Sequence, residues 1–192
     1  MRIIAGEFKG RRLASVKGAI RPTSDKVREA VFSILGPAVL KARVLDLFAG
    51  TGALSLEALS RGASDAILVE EQGAALAVLH KNIETLGLKD RARVLPVPVA
   101  AALKKLMAQG TQFSLIFLDP PYGRGLALKT LATLQKTVLL FPEARIVAEH
   151  SHREALPEQV GRLRLSLNRR YGDTQVSFYE IGENSPPQEL SG

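Results

Sequence analysis

The tetrapeptide Asp119-Pro120-Pro121-Tyr122 follows directly on the apolar run Phe113-Ser114-Leu115-Ile116-Phe117-Leu118. A carboxylate, two conformationally fixed prolines and an aromatic ring at the end of a buried strand are suited to holding a planar amine. The Asp119 carboxylate and the Pro120 carbonyl can accept from the two hydrogens of an exocyclic NH2, and Tyr122 offers a face for the ring that carries it. Such an amine is a poor nucleophile because its lone pair is delocalised. Acceptors on both hydrogens favour the pyramidal form, whose lone pair is free to attack a methyl group. Proline suits the position because it has no N–H to satisfy and fixes the direction of its carbonyl. Asp-Pro and Pro-Pro are also common strand-ending turn dipeptides, so the motif by itself is compatible with an ordinary loop.

A second site accompanies it. Val44-Leu45-Asp46-Leu47-Phe48-Ala49-Gly50-Thr51-Gly52 reads as a buried strand entering a glycine turn, and Ala53-Leu54-Ser55-Leu56-Glu57-Ala58-Leu59 continues as a helix. A strand, turn and helix in this order bring backbone N–H groups and a helix N-terminus to a ligand, with glycine where a side chain would collide. Glu70 closes the next apolar run, Ala66-Ile67-Leu68-Val69, twenty residues after Gly50. A carboxylate there can take both ribose hydroxyls of an adenosine ligand. A nicotinamide dinucleotide is disfavoured, because Ser55 stands where the third glycine of that fingerprint belongs. Asp46, Phe48, the Gly50-Thr51-Gly52 turn, Glu70 and the downstream Asp119-Pro120-Pro121-Tyr122 together resemble the class I S-adenosylmethionine-dependent methyltransferases. By that resemblance Gly50 and Gly52 admit the cofactor, Asp46 fixes the turn and the methionine end, Glu70 binds ribose, and Asp119 lies where amine and cofactor meet.

The elements that must position these groups alternate. Strands are expected at 43–48, 66–70, 92–95, 113–118 and 144–149, and helices near 52–61, 73–86, 99–109 and 126–139. This pattern argues an α/β fold with a mostly parallel sheet covered by helices on both faces and ligands at the carboxyl ends of the strands. Arg162 to Arg169 and Gln175 to Ile181, around Tyr171-Gly172-Asp173, read as a closing antiparallel hairpin. Upstream, Thr23 or Ser24 can cap a helix from Asp25 to Leu35, with Val27, Val31, Ile34 and Leu35 on one face and Gly36-Pro37 as its stop. The expected organisation is a basic β-hairpin arm at 1–22, a catalytic domain at 23–182 and a disordered tail at 183–192.

The charge distribution points to a polyanionic partner. Of a net charge of +7 over 192 residues, six lie in residues 1 to 28, which hold eight basic and two acidic side chains. Arg2 to Ala5 and Arg11 to Val16 read as short strands around Gly6-Glu7-Phe8-Lys9-Gly10, a ribbon whose cations can grip phosphates without reading bases. Arg2, Lys9, Arg11, Arg12, Arg21 and Arg28 are the candidate RNA contacts. Arg124, between Gly123 and Gly125, joins them beside the Asp-Pro-Pro-Tyr turn, whereas Arg162, Arg164, Arg169 and Arg170 read first as a solvated strand face. The absence of cysteine excludes disulfides and thiolate chemistry. Glu149-His150-Ser151-His152 resembles a metal cluster but lacks further close ligands, so no metal is expected, and His80 reads as a helix-face residue. With no apolar run long enough for a bilayer and no apolar signal core, a cytoplasmic protein without membrane contact is expected.

Four segments taken in order sharpen the resemblance: Arg2-Ile3-Ile4-Ala5-Gly6 with Lys9-Gly10-Arg11-Arg12-Leu13, then Arg21-Pro22-Thr23-Ser24-Asp25-Lys26-Val27-Arg28-Glu29-Ala30-Val31-Phe32, then Leu45 to Gly52, then Asp119 to Tyr122. They resemble the bacterial 16S ribosomal RNA guanine-N2 methyltransferases of the RsmD type, from Arg2 to about Ile181. The resemblance implies a Rossmann-like class I methyltransferase fold with an N-terminal β-hairpin extension. It also implies a monomer using S-adenosylmethionine to methylate a guanine amine of 16S rRNA in small-subunit particles. Two positions depart from the family pattern. Gln72 stands where aspartate or asparagine is usual on the ribose side, and Pro98 replaces a polar residue beside adenine, leaving the Val99 amide and apolar packing to hold that ring. Two alternatives share parts of this pattern: DNA adenine-N6 methylation, and a non-catalytic RNA-binding protein with a relic fold.

Overall fold

The computed structural model describes residues 1–16 and 24–182. Its centre is one eight-stranded sheet, built from β1 (Arg43–Asp46), β2 (Asp65–Val69), β3 (Ala92–Leu95), β4 (Phe113–Leu118), β5 (Leu140–Ser151), β6 (Gln159–Val160), β7 (Leu163–Tyr171) and β8 (Thr174–Ile181). The strand order is β3-β2-β1-β4-β5-β8-β7-β6. The first five strands are parallel, and β8, β7 and β6 follow beyond β5, each antiparallel to the strand before it in the sheet. The helices are α1 (Asp25–Leu35), α2 (Ala53–Ser60), α3 (Gly73–Leu86), α4 (Val99–Ala108) and α5 (Leu126–Leu134).

Strand alternation explains why both faces are covered. Val44, Leu68, Leu115 and Phe117 point into a core shared with α1, α2 and α3, whereas Leu45, Ile67, Ile116 and Leu118 point into a second core shared with α4 and α5. Continuous apolar runs in β1, β2 and β4 therefore serve two cores at once, as buried parallel strands must.

Several boundaries differ from expectation: β1 ends at Asp46 rather than 48, and the larger changes are in α5 and β5. α5 stops at Leu134 rather than 139 because Thr137 closes a turn, its hydroxyl donating to the Leu134 carbonyl at 2.8 Å. Arg162 then caps that turn by donating to the Gln135 and Thr137 carbonyls, which makes it a structural cation. β5 runs from Leu140 to Ser151, longer than 144–149, because β4 and β8 pair with it on opposite edges. The two-residue β6 is too short for any periodic signal. The helix at 25–35 starts as expected, with Ser24 Oγ accepting from Val27 N at 3.2 Å. Lys17, Arg21 and Thr23, and the tail at 183–192, lie outside the described residues.

The N-terminal ribbon needs the larger correction. Its two sides pair antiparallel, Arg2 bridging Arg12 with Ile3 N donating to the Arg11 carbonyl and Leu13 N to the Met1 carbonyl, but over a shorter stretch than the expected strands, closed by a turn through Gly6 and Gly10 at φ of 84° and 82°. The segment does not project. Ile3 and Leu13 are buried in the core, and the backbone lies on α2, with Glu7 N donating to the Ser60 carbonyl at 2.8 Å. A Cβ on Gly6 would sit 1.9 Å from that same carbonyl oxygen, so glycine is required by the approach as well as by φ.

What holds the segment down is the fully buried carboxylate of Glu57. It accepts from Ile4 N at 2.8 Å, Ala5 N at 3.0 Å and Arg61 Nε at 2.7 Å, with Arg28 Nε at 3.7 Å. Arg28, expected to grip a phosphate, is completely buried between Glu57, Asp25 and the Arg2 carbonyl. Its placement in α1, one turn past the cap, faces it inward, and the pairing compensates a charge that could not otherwise be buried. Arg2, Lys9, Arg11 and Arg12 remain exposed. Glu57→Ala should lower the unfolding free energy by about 3–5 kcal/mol in urea titration, because it strands a buried guanidinium and two backbone amides; a loss under about 1 kcal/mol would mean that the carboxylate is not the anchor.

Candidate active site

β1 and β4 are neighbours, with Asp46 opposite Phe117. From β1 the chain proceeds to β2 and β3 on one side, and β4 returns on the other. Adjacent connections leave in opposite directions here, so a crevice opens at the carboxyl ends of β1 and β4. The glycine turn follows β1 and Asp119-Pro120-Pro121-Tyr122 follows β4, so the two motifs flank one crevice.

On the β1 side, Asp46 is 1% exposed. Its Oδ2 accepts from Ser55 Oγ at 2.8 Å, while Oδ1 is buried without a hydrogen-bond partner among the described residues. Burial raises the carboxyl from its ordinary 3.8 to about 7, opposed by the Ser55 hydrogen bond. Gly50 and Gly52 adopt φ of 54° and 85°, and Glu70 Oε2 accepts from Gly50 N at 2.8 Å. The other Glu70 oxygen accepts from Glu71 N and Gln72 N. Gln72 thus meets Glu70 through its backbone.

The two glycines part company in role. A Cβ on Gly50 meets nothing within 4 Å, which leaves the crevice side open for a ligand. A Cβ on Gly52 would strike Leu79 Cδ1 at 2.6 Å and press on Leu56, so Gly52 serves the packing of α2 against α3. Phe48, Val97 and Val99 lie half-buried on the α4 side of the core. Val99 is the first residue of α4 and Pro98 its N-cap, so the Val99 amide has no intrahelical acceptor and stays available to a ligand.

On the β4 side, Asp119 is half-buried, Pro120 buried and Pro121 exposed. The Tyr122 hydroxyl donates to Glu149 Oε1 at 3.1 Å and pairs with Thr174 Oγ1 at 3.2 Å. Burial pushes the phenol well above its ordinary range, with the Glu149 and Asp119 charges adding to the rise, so it stays neutral. The ring is therefore pinned at its far end by β5 and β8. Glu149 stands in sequence beside His150 and His152 as a metal-like cluster, but strand alternation separates it from His150 and is the signal that it faces elsewhere. Thr174, 52 residues from Tyr122, leaves no sequence signal. His150 is buried against Ser177 Oγ at 2.8 Å, and burial lowers its pKa. His80 is exposed on α3, as a helix-face residue.

Arg124 is exposed between Gly123 and Gly125, in a turn held by Gly125 N donating to Glu154 Oε1. Arg164, Arg169 and Arg170 are exposed on β7. Arg2, Lys9, Arg11 and Arg12 belong to the docked segment, whereas Arg28 belongs to the core.

Because folding raises the Asp46 pKa, the folded chain keeps a proton that the unfolded chain has lost, and stability contributed by this group falls as pH rises from about 4 to about 7. Asp46→Asn and the parent protein should therefore melt together near pH 4, and the parent should fall progressively below the variant up to about pH 7. Thermal unfolding without ligand across that range checks it; a constant offset would place the Asp46 pKa outside this window.

Residues 1–180 match the family model described as Conserved hypothetical protein 95. YlbH of Bacillus subtilis (strain 168) is 42% identical over 181 residues, covering 94% of this chain and 98% of that protein. Ribosomal RNA small subunit methyltransferase D of Escherichia coli (strain K12) is 38% identical over 181 residues, covering 94% of this chain and 89% of that one. A structure of a hypothetical protein from Thermus thermophilus superposes with a TM-score of 0.82 at 33% identity, covering 94% of this chain and 99% of that one. With the family match spanning both motifs and the N-terminal segment, the chain belongs to this family, together with the ribosomal RNA small subunit methyltransferase D proteins.

Proposed function

We propose that this protein transfers the methyl group of S-adenosylmethionine to the exocyclic N2 amine of one guanine in 16S rRNA, acting as a cytoplasmic monomer on small-subunit particles. The observation that carries the reading is the placement of Asp119-Pro120-Pro121-Tyr122 across one strand-end crevice from Asp46 and the glycine turn. The residues around that crevice fit the cofactor. Asp46 Oδ1 is a buried acceptor without a partner among the described residues, suited to a cationic amine such as the methionine ammonium. Gly50 leaves its side of the crevice open, Glu70 stands at the end of β2 for ribose, and the Val99 amide heads α4 for adenine. When bound there, S-adenosylmethionine supplies an electrophilic methyl.

The chain's own groups do the rest. Asp119 and the Pro120 carbonyl accept from the amine and orient its lone pair. Tyr122, pinned by Glu149 and Thr174, offers its ring to a guanine turned out of its stack. Pro121 continues the rigid turn that aims these groups. Positioning and desolvation supply most of the acceleration, and no strong base is needed. Arg2, Lys9, Arg11 and Arg12 on the docked segment, with Arg21 and Arg124, hold RNA phosphates, so residues 1–22 act as the basic arm of a methyltransferase unit at 23–182. DNA adenine methylation and a relic RNA-binding role are not favoured, since the relatives are named for ribosomal RNA and both halves of the site are intact.

Asp119→Ala should abolish methyl transfer to small subunits from a deletion strain while leaving S-adenosylhomocysteine affinity within a few fold; turnover near the parent rate would overturn the assignment. Replacing Arg2, Lys9, Arg11 and Arg12 together by Gln should reduce the slope of log affinity against log salt by about 0.7 for each phosphate no longer neutralised. An unchanged slope would move the RNA surface to Arg124 and β7.

A further inference from the structure

Asn82 has no part in the machinery proposed above, yet its side-chain amide is 1% exposed and fully committed. Oδ1 accepts from Ala14 N at 2.7 Å, and Nδ2 donates to the Ala14 carbonyl at 3.1 Å and to the Thr51 carbonyl at 2.9 Å. One amide group on α3 therefore reads both backbone groups of a residue in the basic N-terminal segment and, at the same time, the middle residue of the glycine turn. The orientation of the amide is set by its neighbours, since an N–H lies on one side and two carbonyls on the other.

The turn needs such support. Thr51 stands between two residues of positive φ, Gly50 at 54° and Gly52 at 85°, and glycines have little intrinsic preference for one conformation. Two contacts from other elements hold it: Glu70 takes the Gly50 amide from β2, and Asn82 takes the Thr51 carbonyl from α3. If the N-terminal segment lifts, the Ala14 groups leave and a buried amide loses two of its three partners. Leaving it so is unfavourable, and its easiest relief is a shift that also releases Thr51.

We infer that Asn82 is a positioning residue that couples docking of the N-terminal segment to the shape of the cofactor turn, so that polyanion binding on the segment and cofactor binding in the crevice strengthen one another. Any ligand that favours the docked segment favours the formed turn, and by linkage the cofactor favours the docked segment to the same degree. The link to RNA rests on the function proposed above; the coupling within the protein does not.

The test measures S-adenosylhomocysteine affinity by calorimetry on the full chain without RNA, for the parent, Asn82→Ala, Ala14→Pro and the double variant. Ala14→Pro removes the amide that Asn82 accepts from, and it lies far in sequence from the cofactor motifs. Each single variant should weaken binding about fivefold to tenfold, as loss of a buried neutral hydrogen bond does, and the double variant no more than Asn82→Ala alone. Thermal unfolding confirms that each variant is folded. Full affinity in folded Ala14→Pro, or strictly additive losses, would overturn the coupling. In a second arm, small subunits from a deletion strain should raise cofactor affinity in the parent and not in Asn82→Ala. If the coupling holds without RNA but particles leave cofactor affinity unchanged in the parent, the coupling stands and the RNA assignment of the segment falls.

Discussion

A carboxylate with no exposed surface has to be met by donors on every side, and Glu57 is the point where that requirement shapes this protein. Its position in the middle of α2 turns it toward the core, where it gathers two backbone amides of the N-terminal segment, the Arg61 guanidinium and the neighbouring Arg28. Removing any one donor leaves charge or a polar group in a dry place. The segment at 1–16 is consequently part of the folded body, with Ile3 and Leu13 contributing to the core. Its cations are presented from a fixed surface over α2, the helix that begins at the glycine turn.

The chemistry depends on a second constraint, the reversal of connection direction between β1 and β4. Both motifs leave their strands at the same end, so groups 73 residues apart in sequence, Asp46 and Asp119, flank one crevice. Alternation along the strands then divides labour between the faces. The α1, α2 and α3 side carries Ser55, which steadies Asp46, and Asn82, which steadies Thr51. The α4 side carries Phe48, Val97 and Val99, where a planar ring has apolar ground. Burial raises the Asp46 carboxyl to about 7, and a cation placed beside it would favour its charged form.

Rigidity on the substrate side comes from the antiparallel extension. β8 returns beside β5 and brings Thr174 next to Ser151, with Glu149 two residues back on β5. Together they hold the Tyr122 hydroxyl, so the ring is anchored at its tip as well as through the turn that carries it. The C-terminal strands thus complete the site as well as extending the sheet.

Residue order alone is enough for the parallel core, because unbroken apolar runs bounded by turns are a local signal, and β3, β4 and α3 lie where periodicity puts them. The motifs that define the chemistry are legible for the same reason: each is contiguous, and its spacing from a strand end is a local property. The Gly36-Pro37 stop is equally plain, whereas the choice of Ser24 over Thr23 as the cap came with the structure. Arg28 misleads, because charge counted along a chain does not reveal which face of a helix will be buried. The expected ribbon is a docked segment, which residue order did not show because its partners, Glu57, Ser60 and Asn82, lie 52 to 68 residues away along the chain. Gly50 and Gly52 look alike in sequence, yet only the packing of Leu79 and Leu56 separates a ligand-facing glycine from a core-facing one. Thr174 and Glu149 at Tyr122 likewise come from strand pairing between distant segments. Elements and reacting groups could be read from residue order because they depend on neighbours along the chain. Which polar groups are buried together was settled only on folding, because desolvation and hydrogen-bond geometry are properties of contacts that no local pattern encodes.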